Sequence, residues 1–125
     1  MRYVVLLKAL PPDTPPPAEL MAAIMQLGEE GTAAGSLLDT AGLAPSAKGA
    51  RVTLAGGRIS VTDGPFAEAR EMISYAIWDV GSKEEAVEWT SRFLQLHRDL
   101  WPGWEGEADV LQVAGPDDFA GAPQA

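Results

Sequence analysis

The chain contains no cysteine, and that absence excludes several kinds of chemistry at once. Without thiols there is no disulfide, no thiolate-bound metal and no cysteine nucleophile. The sequence also has a single histidine, and one histidine without a second one or a cysteine makes a poor zinc site. No phosphate-binding glycine motif opens a helix either. We therefore expect no metal and no cofactor, and nothing in the sequence indicates secretion.

Basic residues are scarce, since nine lysines and arginines stand against 18 aspartates and glutamates. The resulting net charge of -9 and pI near 4.4 repel phosphate backbones and anionic lipid headgroups. We therefore expect no binding to nucleic acid or to a membrane surface. No stretch approaches the ~18 consecutive apolar residues of a membrane-spanning helix, and the apolar run at residues 4–7 is too short for a secretion signal. The expected location is the cytoplasm.

Apolar residues, by contrast, are plentiful and make up 46% of the 125 residues. This length corresponds to one domain, and this apolar content is typical of a soluble chain with a buried core. We expect a single domain over residues 1–114. Residues 115–125 contain a Gly-Pro and an Ala-Pro pair and are expected to form a loosely held tail.

Strands are predicted where β-branched and aromatic residues cluster in short runs. They are expected at residues 2–8, 51–55, 58–62, 72–80 and about 107–114. Gly56-Gly57 separates the second and third runs and supplies the positive φ angles of a two-residue turn, which makes this the clearest hairpin in the chain. Residues 36–49 are expected to be a long, turn-rich connection whose leucines pack onto the core.

Two helices are predicted from apolar residues at helical spacing and from signals at the helix ends. The first begins at about Pro17, since proline suits a first helical turn, and is expected to end near Gly35. The second follows Ser82, which forms a capping box with Glu85, and a Pro-Gly pair ends it. Its apolar stripe includes His97 near the C-terminal end.

The elements follow in the order strand, helix, hairpin, strand, helix, strand. This order can close into one antiparallel sheet with both helices on one face, which is an α+β, ferredoxin-like sandwich with one added strand. The strand over residues 72–80 is largely apolar on both faces, so the sheet face without helices would be exposed in a monomer. We therefore predict a homodimer joined through the sheet face.

One motif indicates a family. Residues 61–73 have the sequence VTDGPFAEAREMI, and the DGPF tetrapeptide resembles the signature of the DGPF group within the YCII-related, or YciI-like, proteins. The resemblance continues in the charged residues Glu68, Arg70 and Glu71, in the capping-box segment, and in the upstream sequence AGLAPSAKGARV. It covers most of the chain.

The resemblance implies a ferredoxin-like fold of the dimeric α/β-barrel type in a bacterial, cytoplasmic protein. The biochemical role of the family is mostly unsettled. A few relatives are enzymes that act on small ring compounds, and family domains also occur beside or fused to extracytoplasmic-function sigma factors. A His-Asp pair has been proposed as the active site of such enzymes, with its histidine on the first helix. Residues 18–34 contain no histidine, so the pair is not transferred, and the sequence leaves open whether the protein is an enzyme.

The charged residues of this segment each have a structural and a functional interpretation. Asp-Gly-Pro is typical of a turn whose carboxylate accepts backbone N–H bonds. Alternatively, Asp63 lies at a strand end beside a cavity and acts as a general base or ligand anchor. Glu68 and Arg70 belong to a charge run that is usually a solvated face, although Arg70 could clamp a carboxylate. His97 is expected to meet the helix dipole or to lie in an interface.

Two functions from different classes follow. In the first, the protein is a homodimer that binds a small aromatic or carboxylate-bearing molecule between sheet and helices, with at most cofactor-free acid/base chemistry by Asp63. In the second, it is a regulatory module that docks a protein partner, such as a basic region of a sigma factor. The residues expected to bind the ligand are Asp63, Gly64, Pro65, Phe66, Glu68, Arg70 and Trp78.

Overall fold

Six strands and two long helices make up the computed structural model, which describes residues 1–115. The strands are β1 (Arg2–Ala9), β2 (Leu37–Gly42), β3 (Ala50–Ala55), β4 (Arg58–Asp63), β5 (Glu71–Asp79) and β6 (Gly106–Gln112). The helices are α1 (Ala18–Ala33) and α2 (Lys83–Leu100), and a 3₁₀ turn spans Ser46–Lys48. The tail expected at the C-terminus lies outside the described residues except for its first position.

Four strands form one antiparallel sheet in the order β2-β5-β1-β6. Side chains alternate along β1, and the set that includes Tyr3, Val5 and Leu7 is buried. Both helices cover this face, with α1 packed beside β2 and α2 against β1 and β6. The predicted α+β, ferredoxin-like fold with two helices on one face of an antiparallel sheet is confirmed.

The edge of the sheet differs from the prediction. The segment expected to be a connection contains β2, which pairs with β5, and the hairpin expected to join the sheet forms a separate two-stranded sheet. The sequence LLDTAG of β2 has little β-propensity of its own, so this strand depends on its pairing. Two side-chain bonds reinforce it: the Thr40 hydroxyl donates to the Tyr75 carbonyl at 2.9 Å, and the Tyr75 hydroxyl donates to Asp39 at 2.8 Å.

The predicted hairpin itself is present, with its turn at Gly56-Gly57. Its strands β3 and β4 pair with each other, and Val52 lies opposite Val61 while Leu54 lies opposite Ile59. These four apolar side chains are between 66% and 73% exposed. The hairpin therefore contributes little to the core of the described chain.

Helix α1 approaches the sheet closely at one glycine. A Cβ added to Gly31 would lie 2.9 Å from the Trp78 ring, so a larger residue would push the helix away. Trp78 in turn stacks on Trp89 of α2, with ring centroids 4.8 Å apart. These contacts join β5 and both helices into one core, which fixes the spacing between sheet and helices.

Helix α2 begins at the predicted N-cap Ser82, but the returning bond of the Glu85 side chain reaches Gly81 instead of Ser82. The Glu85 backbone N–H donates to the Ser82 hydroxyl at 3.2 Å, and the Glu85 carboxylate accepts from the Gly81 N–H at 2.7 Å. Neither this helix nor α1 combines the length and the apolar character that crossing a membrane requires.

The sheet face opposite the helices, which we call the outer face, has an apolar centre. On β1, Val4 and Leu6 alternate with the buried residues and therefore point to this face. Ile77 and Tyr75 lie opposite them on β5, and Leu111 lies opposite Val4 on β6 with 52% of its surface exposed. No part of residues 1–115 covers this face with a helix.

Candidate functional site

A cavity of about 490 Å³ lies between the sheet and the helices, at the end where α1 begins and α2 ends. Its wall is mostly apolar and is formed by residues of β1, β2, β5, α1 and α2 and of the loops beside them. The lining residues are Leu7, Pro11, Pro12, Pro16, Leu20, Met21, Ile24, Thr40, Ala41, Gly42, Leu43, Pro45, Glu71, Met72, Ile73, Ser74, Phe93, His97, Trp101 and Trp104. The volume falls within the range of roughly 300–1,000 Å³ that is usual for small-molecule sites.

His97 is the one histidine of the chain, and it lines this cavity. The side chain is only 5% exposed, although it lies in the last turn of α2. Its Nδ1 lies 2.9 Å from the Phe93 carbonyl oxygen. Burial lowers the pKa of His97, because the charged form loses more hydration than the neutral form. The ring is therefore neutral at neutral pH.

Aromatic rings fix the orientation of the His97 imidazole. The Phe93 ring meets it edge-on with centroids 4.7 Å apart, and the Trp104 ring lies 4.3 Å away at an angle of 36°. Trp104 is packed so closely on β6 that a Cβ at Gly106 would lie 2.3 Å from it. The imidazole is thus held between α2 and the loop that leads to β6.

Glu71 is the second ionisable residue in the lining, and it stands at the start of β5. Its carboxylate oxygen Oε1 accepts from the Ser46 backbone N–H at 3.0 Å and from the Ser46 hydroxyl at 2.8 Å. These two bonds fix one carboxylate oxygen on the turn that precedes β3. They hold the carboxylate at the cavity wall.

No lysine or arginine of the described residues lines the cavity. Its wall therefore offers a carboxylate and a neutral histidine together with hydroxyl groups. This set can accept hydrogen bonds from a ligand, but it has no cation with which to hold an anion. An uncharged ligand with a hydrogen-bond donor fits this wall better than a carboxylate does.

The DGPF segment is tied to the Ser46 turn and does not open into this cavity. The Phe66 N–H donates to the Ser46 hydroxyl at 3.1 Å, and the Gly64 N–H donates to the Gly49 carbonyl at 2.9 Å. A Cβ at Gly64 would lie 1.7 Å from the Ser46 carbonyl oxygen, so only glycine fits there. Pro65 follows through a cis peptide bond. Backbone contacts with the Ser46 turn therefore position this segment.

The predicted site residues do not lie together. Asp63 is exposed at the end of β4, and its side chain makes no hydrogen bond or ion pair with any described residue. Glu68 pairs with Arg51 at 2.7 Å, and the Arg51 guanidinium also lies 4.1 Å from the centre of the Phe66 ring. Arg70 pairs with Glu107 of β6 at 2.7 Å. Trp78 is buried in the core.

None of these seven residues lines the large cavity. Trp78 lines a smaller void of about 80 Å³ deeper in the core, and Phe66 lines a shallow surface depression beside Glu71. Their joint role in binding stays a prediction. The structure brings together a different set, in which His97, Glu71 and the two tryptophans after α2 surround one cavity.

A signal for His97 was available in the sequence. The residue stands in the apolar stripe of α2, three and four positions from other stripe residues, so burial against the sheet was predictable from its spacing. Its position in the same cavity wall as Glu71 was not predictable, because α2 and the start of β5 are far apart in the chain.

Comparison with known families agrees with the resemblance to YCII-related proteins. The family model of the YCII-related domain matches residues 1–94, which is well over half of the chain. The chain belongs to the YCII-related family. The YCII-related match runs from β1 into α2 and therefore includes the DGPF segment and most of the cavity wall. No curated protein matches the chain. The finer assignment of this YCII-related protein to the DGPF group stays a prediction.

Proposed function

We propose that this YCII-related protein binds a small, largely apolar molecule in the cavity between sheet and helices. The observation that carries the proposal is the cavity itself, with a volume of about 490 Å³ and an apolar wall interrupted by a few polar groups. Apolar clefts with a few converging polar groups are the usual form of small-molecule sites.

The polar groups favour an aromatic ligand over a carboxylate-bearing one. Two arginines beside the DGPF segment are already paired, Arg70 with Glu107 and Arg51 with Glu68. Neither lines the cavity, whereas Glu71 does. A carboxylate ligand would therefore meet a like charge without a compensating cation. An uncharged ring avoids this repulsion and fills the apolar volume.

A thermal-shift assay with the intact protein tests the binding proposal, because a ligand that binds only the folded state raises the melting temperature. We expect uncharged ring compounds such as indole to raise the melting temperature and benzoate to leave it unchanged. Ile24→Trp places a large ring in the cavity and should abolish the shift. Ala22→Trp, at an exposed position of the same helix outside the lining, is the matched control and should preserve it.

A stabilisation by indole that Ile24→Trp does not reduce would place the binding site elsewhere. The catalytic role predicted for Asp63 is tested separately with Asp63→Asn, which keeps the turn and removes the base. Loss of turnover or of affinity in a folded Asp63→Asn variant would support a general base or ligand anchor at this position. Unchanged function would leave the residue as part of the turn.

We also propose that two copies associate through the outer face. The partly exposed side chains of Val4, Leu6, Tyr75 and Ile77 form an apolar patch there with the exposed Leu111, and no helix of residues 1–115 packs on it. Exposed contiguous apolar surface of this kind is typical of an interface.

The rim of this patch carries both signs of charge. Lys8 pairs with Asp109 at 2.7 Å, and Arg70 pairs with Glu107 at the same distance. A second copy related by a two-fold axis presents the same patch and the same mixed rim, so it is complementary in both respects. The second copy is therefore the occupant that we propose for the outer face.

The net charge of -9 favours one further candidate, the docking of a basic region of a sigma factor. Its test is co-purification with an extracytoplasmic-function sigma factor at equal stoichiometry. Binding that is lost at raised salt would support this role, because screening weakens contacts between opposite charges.

A further inference from the structure

We propose that Nε2 of His97 selects the ligand by accepting a hydrogen bond from an O–H or N–H group of an uncharged ring compound. This inference rests on the proposed function, because it assigns a specificity-determining residue and a ligand class to the same cavity. It concerns a residue of α2 and does not involve the DGPF segment.

The first step is the tautomer of His97. Its Nδ1 lies 2.9 Å from the Phe93 carbonyl oxygen, and a carbonyl oxygen can only accept a hydrogen bond. Nδ1 must therefore carry the hydrogen. In a neutral imidazole the other nitrogen then has a free lone pair, so Nε2 is a hydrogen-bond acceptor.

The second step is that Nε2 is available to a ligand. His97 makes no other hydrogen bond with the described residues. Every fully buried side-chain nitrogen or oxygen among these residues has a hydrogen-bond partner. Nε2 has no partner among them and is therefore not fully buried, and His97 lines the cavity, so we place Nε2 at the cavity wall.

The third step is that the acceptor is rigid. The bond to the Phe93 carbonyl fixes one edge of the ring, and the Trp104 ring at 4.3 Å restricts its tilt. A fixed acceptor in an apolar wall discriminates strongly between ligands, because an acceptor that is desolvated without a partner costs free energy. A ligand without a donor group would desolvate Nε2 and leave it without a hydrogen-bond partner.

The fourth step excludes an anionic ligand. Among residues 1–115, the ionisable groups in the cavity wall are His97 and Glu71, so the site has no fixed cation. His97 would have to be protonated to hold an anion, and its buried position opposes that charge. The ligand is therefore an uncharged compound with a donor group, and the aromatic side chains of Phe93, Trp101 and Trp104 in the lining favour a ring.

Two ring compounds of nearly the same shape test the inference. Indole has an N–H donor, whereas benzofuran carries an oxygen at that position and cannot donate. We expect indole to bind the intact protein about five- to tenfold more tightly than benzofuran in a calorimetric titration, the usual range for one buried hydrogen bond. Equal affinities for the two compounds would overturn the inference.

Variants at position 97 separate hydrogen bonding from packing. His97→Phe keeps a ring of similar size without an acceptor, so it should bind indole and benzofuran equally. His97→Gln offers an amide oxygen near the position of Nε2 and should restore part of the preference for indole. Preference for indole that persists in His97→Phe would also overturn the inference.

A nuclear magnetic resonance readout is independent of the affinities. Because the chain has a single histidine, its two ring nitrogens give unambiguous signals. Indole should shift the Nε2 resonance and leave the Nδ1 resonance nearly unchanged, and benzofuran should shift neither by a comparable amount. A shift of both nitrogens to the values of a protonated ring would contradict a neutral acceptor.

These outcomes distinguish the inference from the proposed function. Equal binding of both compounds, lost in Ile24→Trp, would overturn the role of His97 and support the cavity as a binding site. Binding of neither compound to the intact protein would contradict the proposed function and the inference together.

Discussion

The Nδ1 atom of His97 lies 2.9 Å from the carbonyl oxygen of Phe93, one helical turn earlier in α2. This bond connects the helical spacing of the sequence with the chemistry of the cavity wall. The apolar stripe of α2 buries the histidine, and the backbone carbonyl then determines which ring nitrogen keeps its lone pair. The ring is presented to the cavity as an acceptor with a fixed orientation, as the proposed selection of donor ligands requires.

Folding stability should depend on pH through His97. Burial lowers the pKa of the folded state below the ordinary value of 6.5, so the unfolded chain takes up a proton at a higher pH than the folded chain does. Stability should therefore fall as the pH falls below about 6.5. Urea unfolding at pH 7.5 and 5.5 measures this dependence, and His97→Phe should lose less stability over the interval than the natural protein. An equal loss in both proteins would contradict a lowered pKa.

Removing the Ser46 hydroxyl should destabilise the connection between the DGPF segment and β5. Ser46→Ala deletes the bonds to the Glu71 carboxylate and to the Phe66 N–H, and it leaves that N–H without its partner. We expect a loss of about 1–3 kcal/mol in the free energy of unfolding by chemical denaturation. Ser60→Ala, at an exposed position of β4, serves as the control and should change stability by less than about 0.5 kcal/mol.

Gly64 should tolerate no larger residue. The Cβ of Gly64→Ala would lie 1.7 Å from the Ser46 carbonyl oxygen, so one of the two backbone segments must move. We expect a destabilisation of more than about 2 kcal/mol, measured by thermal and urea unfolding. Gly42→Ala is the matched control, because nothing lies within 4 Å of the added Cβ there. Similar losses for the two variants would refute the proposed contact with the Ser46 turn.

A charge on the outer face should break the homodimer. We expect the natural protein to be dimeric and Leu111→Lys to be monomeric in light scattering, because the lysine charge would be buried at the interface. Met25→Lys is the control and should stay dimeric, since Met25 is an exposed apolar residue of α1, on the side of the sheet away from the outer face. A natural protein that stays monomeric over the whole concentration series would exclude the dimer.

Local signals in the sequence predicted much of the fold. The N-cap at Ser82 and the Gly56-Gly57 turn depend on neighbouring residues, and both are present at the predicted positions. Strand β2 escaped prediction because its sequence has little β-propensity and its pairing partner, β5, follows about 30 residues later in the chain. The hairpin had the stronger local pattern, but that pattern does not determine which sheet a hairpin joins.

The candidate site was harder to predict for the same reason. The motif drew attention to Asp63, which is conspicuous in the sequence but exposed at a strand end. His97 and Glu71 line one cavity only because the folded chain brings the end of α2 and the start of β5 to the same end of the layer between sheet and helices. That arrangement depends on long-range packing, which neither spacing nor composition describes.

Chemical-shift mapping of the backbone amides with indole tests the central claim most directly, because it locates the ligand on the intact protein without any substitution. The cavity proposal predicts that the largest shifts occur at lining positions such as Ile24, Ser74, His97 and Trp104. It also predicts that Asp63 stays unaffected. Shifts concentrated around Asp63, or no shifts at saturating indole, would contradict the proposal.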